Sequence, residues 1–158
     1  MEIALVQPEI PGNTGAIGRL CVGTNTRLHL LGKLGFDLSE RAVRRAGLDY
    51  WRDVQLEVHP EIEPWFEGID TEPQRKVWLF TTKGTRRYDQ IDYGINDVLV
   101  FGGESKGLPQ WLRDRYPQQL VYLPTLPAIR SLNLASTATA ALFEALRHHH
   151  FEGIDRPR

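Results

Sequence analysis

Three short segments hold most of the residues able to carry chemistry. Residues 8–21 read PEIPGNTGAIGRLC, with Asn13 and Arg19 six positions apart. Residues 100–109 read VFGGESKGLP, and residues 126–147 read LPAIRSLNLASTATAALFEALR. Each joins a strand to a helix through a polar turn. Polar groups at the mouth of a helix, facing out from a packed scaffold, make a binding site. Three such turns in one small chain imply one shared pocket. Glu104 follows two glycines, where a carboxylate either points into the pocket or accepts loop amides. Ser131 and Asn133 precede the last helix and can cap it or face a ligand, and Asn13 has the same two options at the first helix.

Other chemistries fit these residues less well. The glycines at 12, 15 and 18 do not have dinucleotide-loop spacing, and no acid ends the second strand to hold a ribose diol. GGESKGL lacks the Lys-Ser/Thr ending of a triphosphate loop. GESKG does match a nucleophile elbow, with Asp114 and His148 following in hydrolase order. Gly107 and Pro109 delay the next helix, however, so Ser105 falls in mid-loop. His148, His149 and His150 would fan out about 100° apart on a helix and cannot share one metal ion. With a single cysteine and no His or Cys pairs at ligand spacing, no metal is expected.

The elements that position these turns alternate. Strands are expected at 3–7, 27–31, 54–58, 76–82, 98–102 and 120–123. Helices are expected from Asn13 or Thr14 to about Gly23, from Ser39 through Ala46, at 61–67, from Pro109 to about Tyr116, and over the last segment. The continuous apolar run at 98–102 marks a central parallel strand. Alternation of this kind defines an α/β domain with a mostly parallel sheet flanked by helices, whose ligands bind outside the carboxyl ends of the strands. The turns after Gln7, Thr82, Gly102 and Leu123 lie at those ends.

A chain of 158 residues is expected to be one domain, 1–158, with no appended RNA-binding domain. No apolar run reaches the ~18 residues that span a bilayer, and the first residues do not read as a signal peptide. Lone Cys21 excludes an internal disulfide and fits a reducing, cytoplasmic setting. A net charge of −1 gives no bulk attraction to nucleic acid, so any basic surface is local. The densest basic clusters are Arg44 with Arg45, and Lys83 with Arg86 and Arg87; Arg156 and Arg158 end the chain. The four tryptophans, at 51, 65, 78 and 111, read mainly as packing, with Trp51 a candidate for exposure near substrate.

Taken together, the three motifs resemble those of the SPOUT-type RNA methyltransferases, in their 2′-O-ribose branch. RRAGLDYW and TTKGT make the chain similar to the small subgroup that methylates the wobble nucleotide, position 34 (cytidine or modified uridine), of leucine tRNAs. The resemblance covers nearly the whole chain. It implies a C-terminal deep trefoil knot, a homodimer whose pockets are completed by the neighbouring subunit, and S-adenosylmethionine as methyl donor. It assigns Arg19, Glu104 and Asn133 to catalysis. Phe80, Thr81, Gly102, Leu123, Ile129, Ser131 and Leu132 go to the cofactor, and Asn13, Lys83 and Arg45 to substrate RNA.

The chemistry is consistent with those roles. A sulfonium methyl is already activated, so no metal or covalent intermediate is needed; the 2′-oxygen must be placed in line and its proton removed. Arg19 matches the base proposed for the family, but a guanidinium with a pKa above about 12 suits stabilising a developing alkoxide better, with phosphate taking the proton. The alternatives are 2′-O-methylation at another tRNA or rRNA position and, in a different class, a non-catalytic RNA-binding module.

Overall fold

The computed structural model describes residues 1–39 and 49–154. In chain order the elements are β1 (Glu2–Val6), α1 (Pro11–Thr24), β2 (Arg27–Leu31), β3 (Leu56–His59), α2 (Ile62–Asp70), β4 (Val77–Phe80), β5 (Arg86–Arg87), β6 (Val98–Gly102), α3 (Gln110–Arg115), β7 (Leu120–Tyr122) and α4 (Leu134–His148). The strands form one seven-stranded sheet in the order β3-β2-β1-β6-β4-β7-β5. Every pairing in it is parallel.

Parallel strands need helical crossovers, and these cover both faces of the sheet. On one face Ile3, Leu5, Leu28, Leu30, Leu99 and Phe101 pack against Ile17 and Cys21 of α1 and Ala138, Ala141 and Leu142 of α4. On the other, Ala4, Val6, Leu31, Leu79 and Val100 pack against Ile62, Phe66 and Ile69 of α2 and Leu112 of α3. β6, buried on both faces, occupies the centre that its apolar run predicts.

α1 begins earlier than its side chains suggest. Pro11 takes the first helical turn, Ile10 is the N-cap, and no side chain of the cap position bonds the helix amides. Asn13 and Thr14 therefore lie inside the helix, which frees the Asn13 amide for other partners. Pro109 is likewise a cap, and α3 runs only from Gln110 to Arg115. β3 is shifted two residues later at its start than expected, and α2 continues to Asp70. The two-residue β5, absent from the sequence reading, adds an edge beside β7. The helix expected from Ser39 through Ala46 falls mostly outside the described residues, as do Arg44, Arg45, Arg156 and Arg158. No helix among the described residues is long and apolar enough to cross a membrane.

Candidate active site

With the strands parallel, their carboxyl ends all emerge on one side. There, residues 80–83, 101–108, 121–123 and 130–134 surround a pocket of about 540 Å³, with Ile10 and Asn13 from the head of α1. That volume lies in the range of small-molecule and cofactor sites. The three motifs contribute together, and they are tied by one chain of hydrogen bonds.

Glu104 is its hub. Oε2 accepts from the Glu9 amide at 2.8 Å, and Oε1 accepts from the Ile10 amide at 3.3 Å and from Asn13 Nδ2 at 2.9 Å. A carboxylate delivered from β6 thus supplies the negative charge that the N-terminus of α1 lacks locally. Asn133 Nδ2 donates to Asn13 Oδ1 at 2.9 Å, and Asn133 Oδ1 caps α4 by accepting from the Ser136 amide at 3.1 Å. The amide orientations are fixed by the ends of this relay. Ser136 N–H can only donate and Glu104 only accepts, so both asparagines have one permitted direction.

The glycine turn after β6 closes on itself. A Cβ on Gly102 would lie 2.1 Å from the Gly107 carbonyl carbon, so the strand end and the returning loop meet backbone to backbone. Close approach here shapes the pocket wall. The Gly107 amide donates to the Gly103 carbonyl at 2.8 Å, and Gly107 itself has φ +65°.

Of the residues assigned to a cofactor, Phe80, Thr81, Gly102, Leu123, Ser131 and Leu132 line the pocket. Ile129 does not line it; its side chain is half exposed. Asn13, Lys83, Glu104 and Asn133 also line it, whereas Arg45 is outside the described residues. Arg19 stands apart. It is exposed on α1, its guanidinium 4.6 Å from the centre of the Tyr50 ring, and it is not part of the pocket wall of its own chain. Tyr50 is anchored by its hydroxyl, which donates to the Gly15 carbonyl at 2.8 Å.

Basic residues that sequence reasoning passed over also reach the pocket: Lys106, Arg113 and Arg130. Arg130 sits inside the third motif and donates toward the Ser105 carbonyl, so the motif itself was the signal. Arg87 is paired with Asp89 and Arg86 lies over Trp78, which leaves Lys83 the pocket-facing cation of its cluster. Trp51 packs so closely against Gly18 of α1 that a Cβ there would meet its ring, a packing role.

The hydrolase candidates are committed elsewhere. Ser105 Oγ donates to Glu9 at 2.7 Å, Asp114 accepts from Gln110 at 2.6 Å, and the His148 ring meets Tyr93 edge-on. Cys21 is buried, and desolvation pushes its thiol up to about 12, far from a nucleophile.

A parallel α/β sheet, with a pocket at its strand ends and three polar motifs knitted across it, defines an α/β small-molecule-binding class of protein. Comparison with known proteins narrows the class. Residues 1–143 match the SpoU rRNA Methylase family, and the chain belongs to that family. A Methylovorus glucosotrophus protein named tRNA (cytidine(34)-2′-O)-methyltransferase is 46% identical over 153 residues, covering 96% of this chain and 97% of that one. A solved structure concerned with the 2-OH methylation of C/U34 on tRNA superposes with a TM-score of 0.86 at 35% identity, covering 94% of this chain and 95% of that chain. An AdoMet-bound rRNA methyltransferase from Sinorhizobium meliloti superposes with a TM-score of 0.76 at 28% identity, covering 93% of this chain and 56% of that chain.

Proposed function

We propose that the chain transfers a methyl group from S-adenosylmethionine to the ribose 2′-hydroxyl of nucleotide 34 in tRNA, with leucine tRNAs as substrates, in the cytoplasm. The observation that carries this reading is the Glu104–Asn13–Asn133 relay, which binds all three family motifs around one pocket. The full-length similarity to a cytidine-34 enzyme supports the position.

The pocket fits the cofactor on its own features. It is large enough, its wall offers apolar side chains at Leu123, Leu132 and Leu134, and backbone groups flank them at Thr81, Gly102 and Ser131. Backbone recognition also explains why no acid ends β2 to hold a ribose diol. When bound, S-adenosylmethionine supplies an activated methyl on a sulfonium. The protein's task is then to place the nucleotide. That methyl would pass to the ribose 2′-oxygen with the thioether as leaving group, and the adjacent phosphate would take the hydroxyl proton. Asn133 and Asn13, locked in orientation, hold the ribose edge, and Lys83 meets the RNA backbone. Arg19 stabilises the developing charge on the 2′-oxygen.

Since Arg19 does not line the pocket of its own chain, it acts on the pocket of a second copy. The outer face of α1 is built of small exposed residues, Gly12, Ala16 and Gly23, flanking Arg19. Ile10, Ile129, Leu132 and Phe143 are large apolar side chains exposed on the surface. A homodimer through these surfaces would cover them. The stretch between β7 and α4 is exposed from Pro124 through Asn133, and its threading past the Gly103–Pro109 loop would form the family's trefoil knot.

The test is methyl incorporation from labelled S-adenosylmethionine into unmodified leucine tRNA, comparing the wild type with Arg19→Ala, with the product mapped by nuclease digestion and mass spectrometry. The reading expects a 2′-O-methyl mark at nucleotide 34 that is lost in the variant. Transfer to ribosomal RNA or another tRNA position instead would overturn the substrate; no cofactor binding would overturn the activity.

A further inference from the structure

The sheet face covered by α2 and α3, remote from the pocket, holds a second cluster of reactive side chains. His29 on β2 and Glu57 on β3 are direct register partners. His59 follows two residues along β3 and so projects on the same side as Glu57. His29 Nδ1 lies 3.3 Å from His59 Nε2 and 3.5 Å from Glu57 Oε2, and these last two atoms are 3.4 Å apart. Three potential ligand atoms thus form a nearly equilateral triangle.

Hydrogen bonding serves that triangle poorly. His29 Nε2 is 2.8 Å from Glu2 Oε2, and a carboxylate only accepts, so Nε2–H donates there and selects, for a neutral ring, the tautomer with its proton on Nε2. Nδ1 then presents a lone pair to the triangle, as does Glu57 Oε2. The His59 Nε2 proton alone would have to serve both. Converging lone pairs without enough protons are what a cation requires.

We propose that His29, Glu57 and His59 bind a divalent metal ion of the zinc class. A tetrahedral zinc with bonds of ~2.0–2.1 Å holds its ligand atoms roughly 3.3–3.4 Å apart, the spacing found here. Two imidazoles with one carboxylate select zinc-like ions over magnesium or calcium. The surrounding groups are arranged as metal sites arrange them. Glu2 fixes the His29 tautomer and is itself bonded by Arg75. Arg27 pairs with the other Glu57 oxygen at 3.3 Å, which leaves Oε2 turned inward. His29 is buried, while Glu57 and His59 are partly exposed, so the fourth position faces solvent. The ion would clamp the edge strand β3 to β2, and the Trp65 ring, 5.2 Å from that of His29, would report its arrival.

The experiment is calorimetric titration of the chelator-treated full chain with zinc ion alone, alongside cobalt(II) absorption and Trp65 fluorescence. One zinc per chain and tetrahedral cobalt bands are expected. Glu57→Gln and His59→Ala, both on the exposed edge, should each weaken binding at least tenfold, with folding checked by circular dichroism in metal-free buffer. Glu2→Gln, which leaves all three ligands in place, should weaken it roughly 10–100-fold. His149→Ala/His150→Ala should bind zinc as the wild type does, since those side chains lie on the α4 end. Absence of a one-per-chain site would overturn the proposal. So would binding that survives both β3 substitutions in folded protein, or binding lost in the double histidine variant.

Discussion

Glu104 holds the head of α1. Its two oxygens accept three N–H donors from the head of α1, and no oxygen is left as an obvious base. Glu104→Gln keeps the shape but turns an NH2 group toward a donor and removes the charge. Loss of charge-assisted bonds costs about 1.5–3 kcal/mol, so urea denaturation should show a destabilisation of that order. Methyl transfer should fall by more than the folded fraction does, because the Asn13–Asn133 relay loses its fixed direction. Equal loss of folded protein and of activity would reduce Glu104 to a cap. A second residue-scale expectation concerns Cys21. With its thiol raised to about 12 by burial, almost no thiolate exists near pH 8, and iodoacetamide should label the native chain far more slowly than the urea-unfolded chain.

At the scale of elements, α2 and α3 are joined by a polar clasp. Arg115 Nε and the Tyr116 hydroxyl both donate to the Asp70 carboxylate, at 3.1 and 2.7 Å. Burial by itself would push the Asp70 carboxyl up; the hydrogen bonds from Arg115 and Tyr116 outweigh it and hold it below the usual carboxylate range. A depressed folded-state pKa stabilises above the unfolded value and loses that contribution as pH falls through the folded one. Asp70→Asn should therefore reduce stability at neutral pH and flatten its decline in acid. The clasp is partly exposed, so the difference should stay below about 1 kcal/mol. Thermal melts from pH 7 down to pH 2 would show the two curves converging; parallel curves would refute the assignment.

The same elements show which parts of the fold were readable. Residues 3–6 of β1 and residues 98–101 of β6 form continuous apolar runs because both sheet faces are covered, and their positions follow directly from the sequence; β2 is apolar apart from Arg27 and His29. The edges are different. β5 is two arginines held by β7, and nothing local marks it. The start of α1 was misplaced since its stabilising acceptor, Glu104, lies about ninety residues away in the chain. Motif reading named Asn13, Glu104 and Asn133 because each lies in a polar motif that leads from a strand into a helix, and the structure joins their three side chains by hydrogen bonds. It could not find the His29–Glu57–His59 triangle, which exists only through the register of two parallel strands.

On the scale of the whole molecule, the distance of Arg19 from its own pocket decides how many chains make one site. If Arg19 serves a neighbouring pocket, two inactive variants should repair each other. Arg19→Ala keeps an intact pocket, while Ser131→Trp fills the pocket but keeps Arg19. Neither homodimer should transfer methyl groups. After the two are unfolded, mixed in equal amounts and refolded, half the dimers of an isologous pair are mixed. Each mixed dimer has one pocket that is open and faces a partner carrying Arg19, so activity should return to about a quarter of the wild-type level. Sedimentation would confirm that the mixture is dimeric. Were Arg19 to act within its own chain, the open pocket would always lack its arginine and the mixture would stay inactive. The quarter-activity result requires both a dimer and a shared site, so a single assay tests the two together.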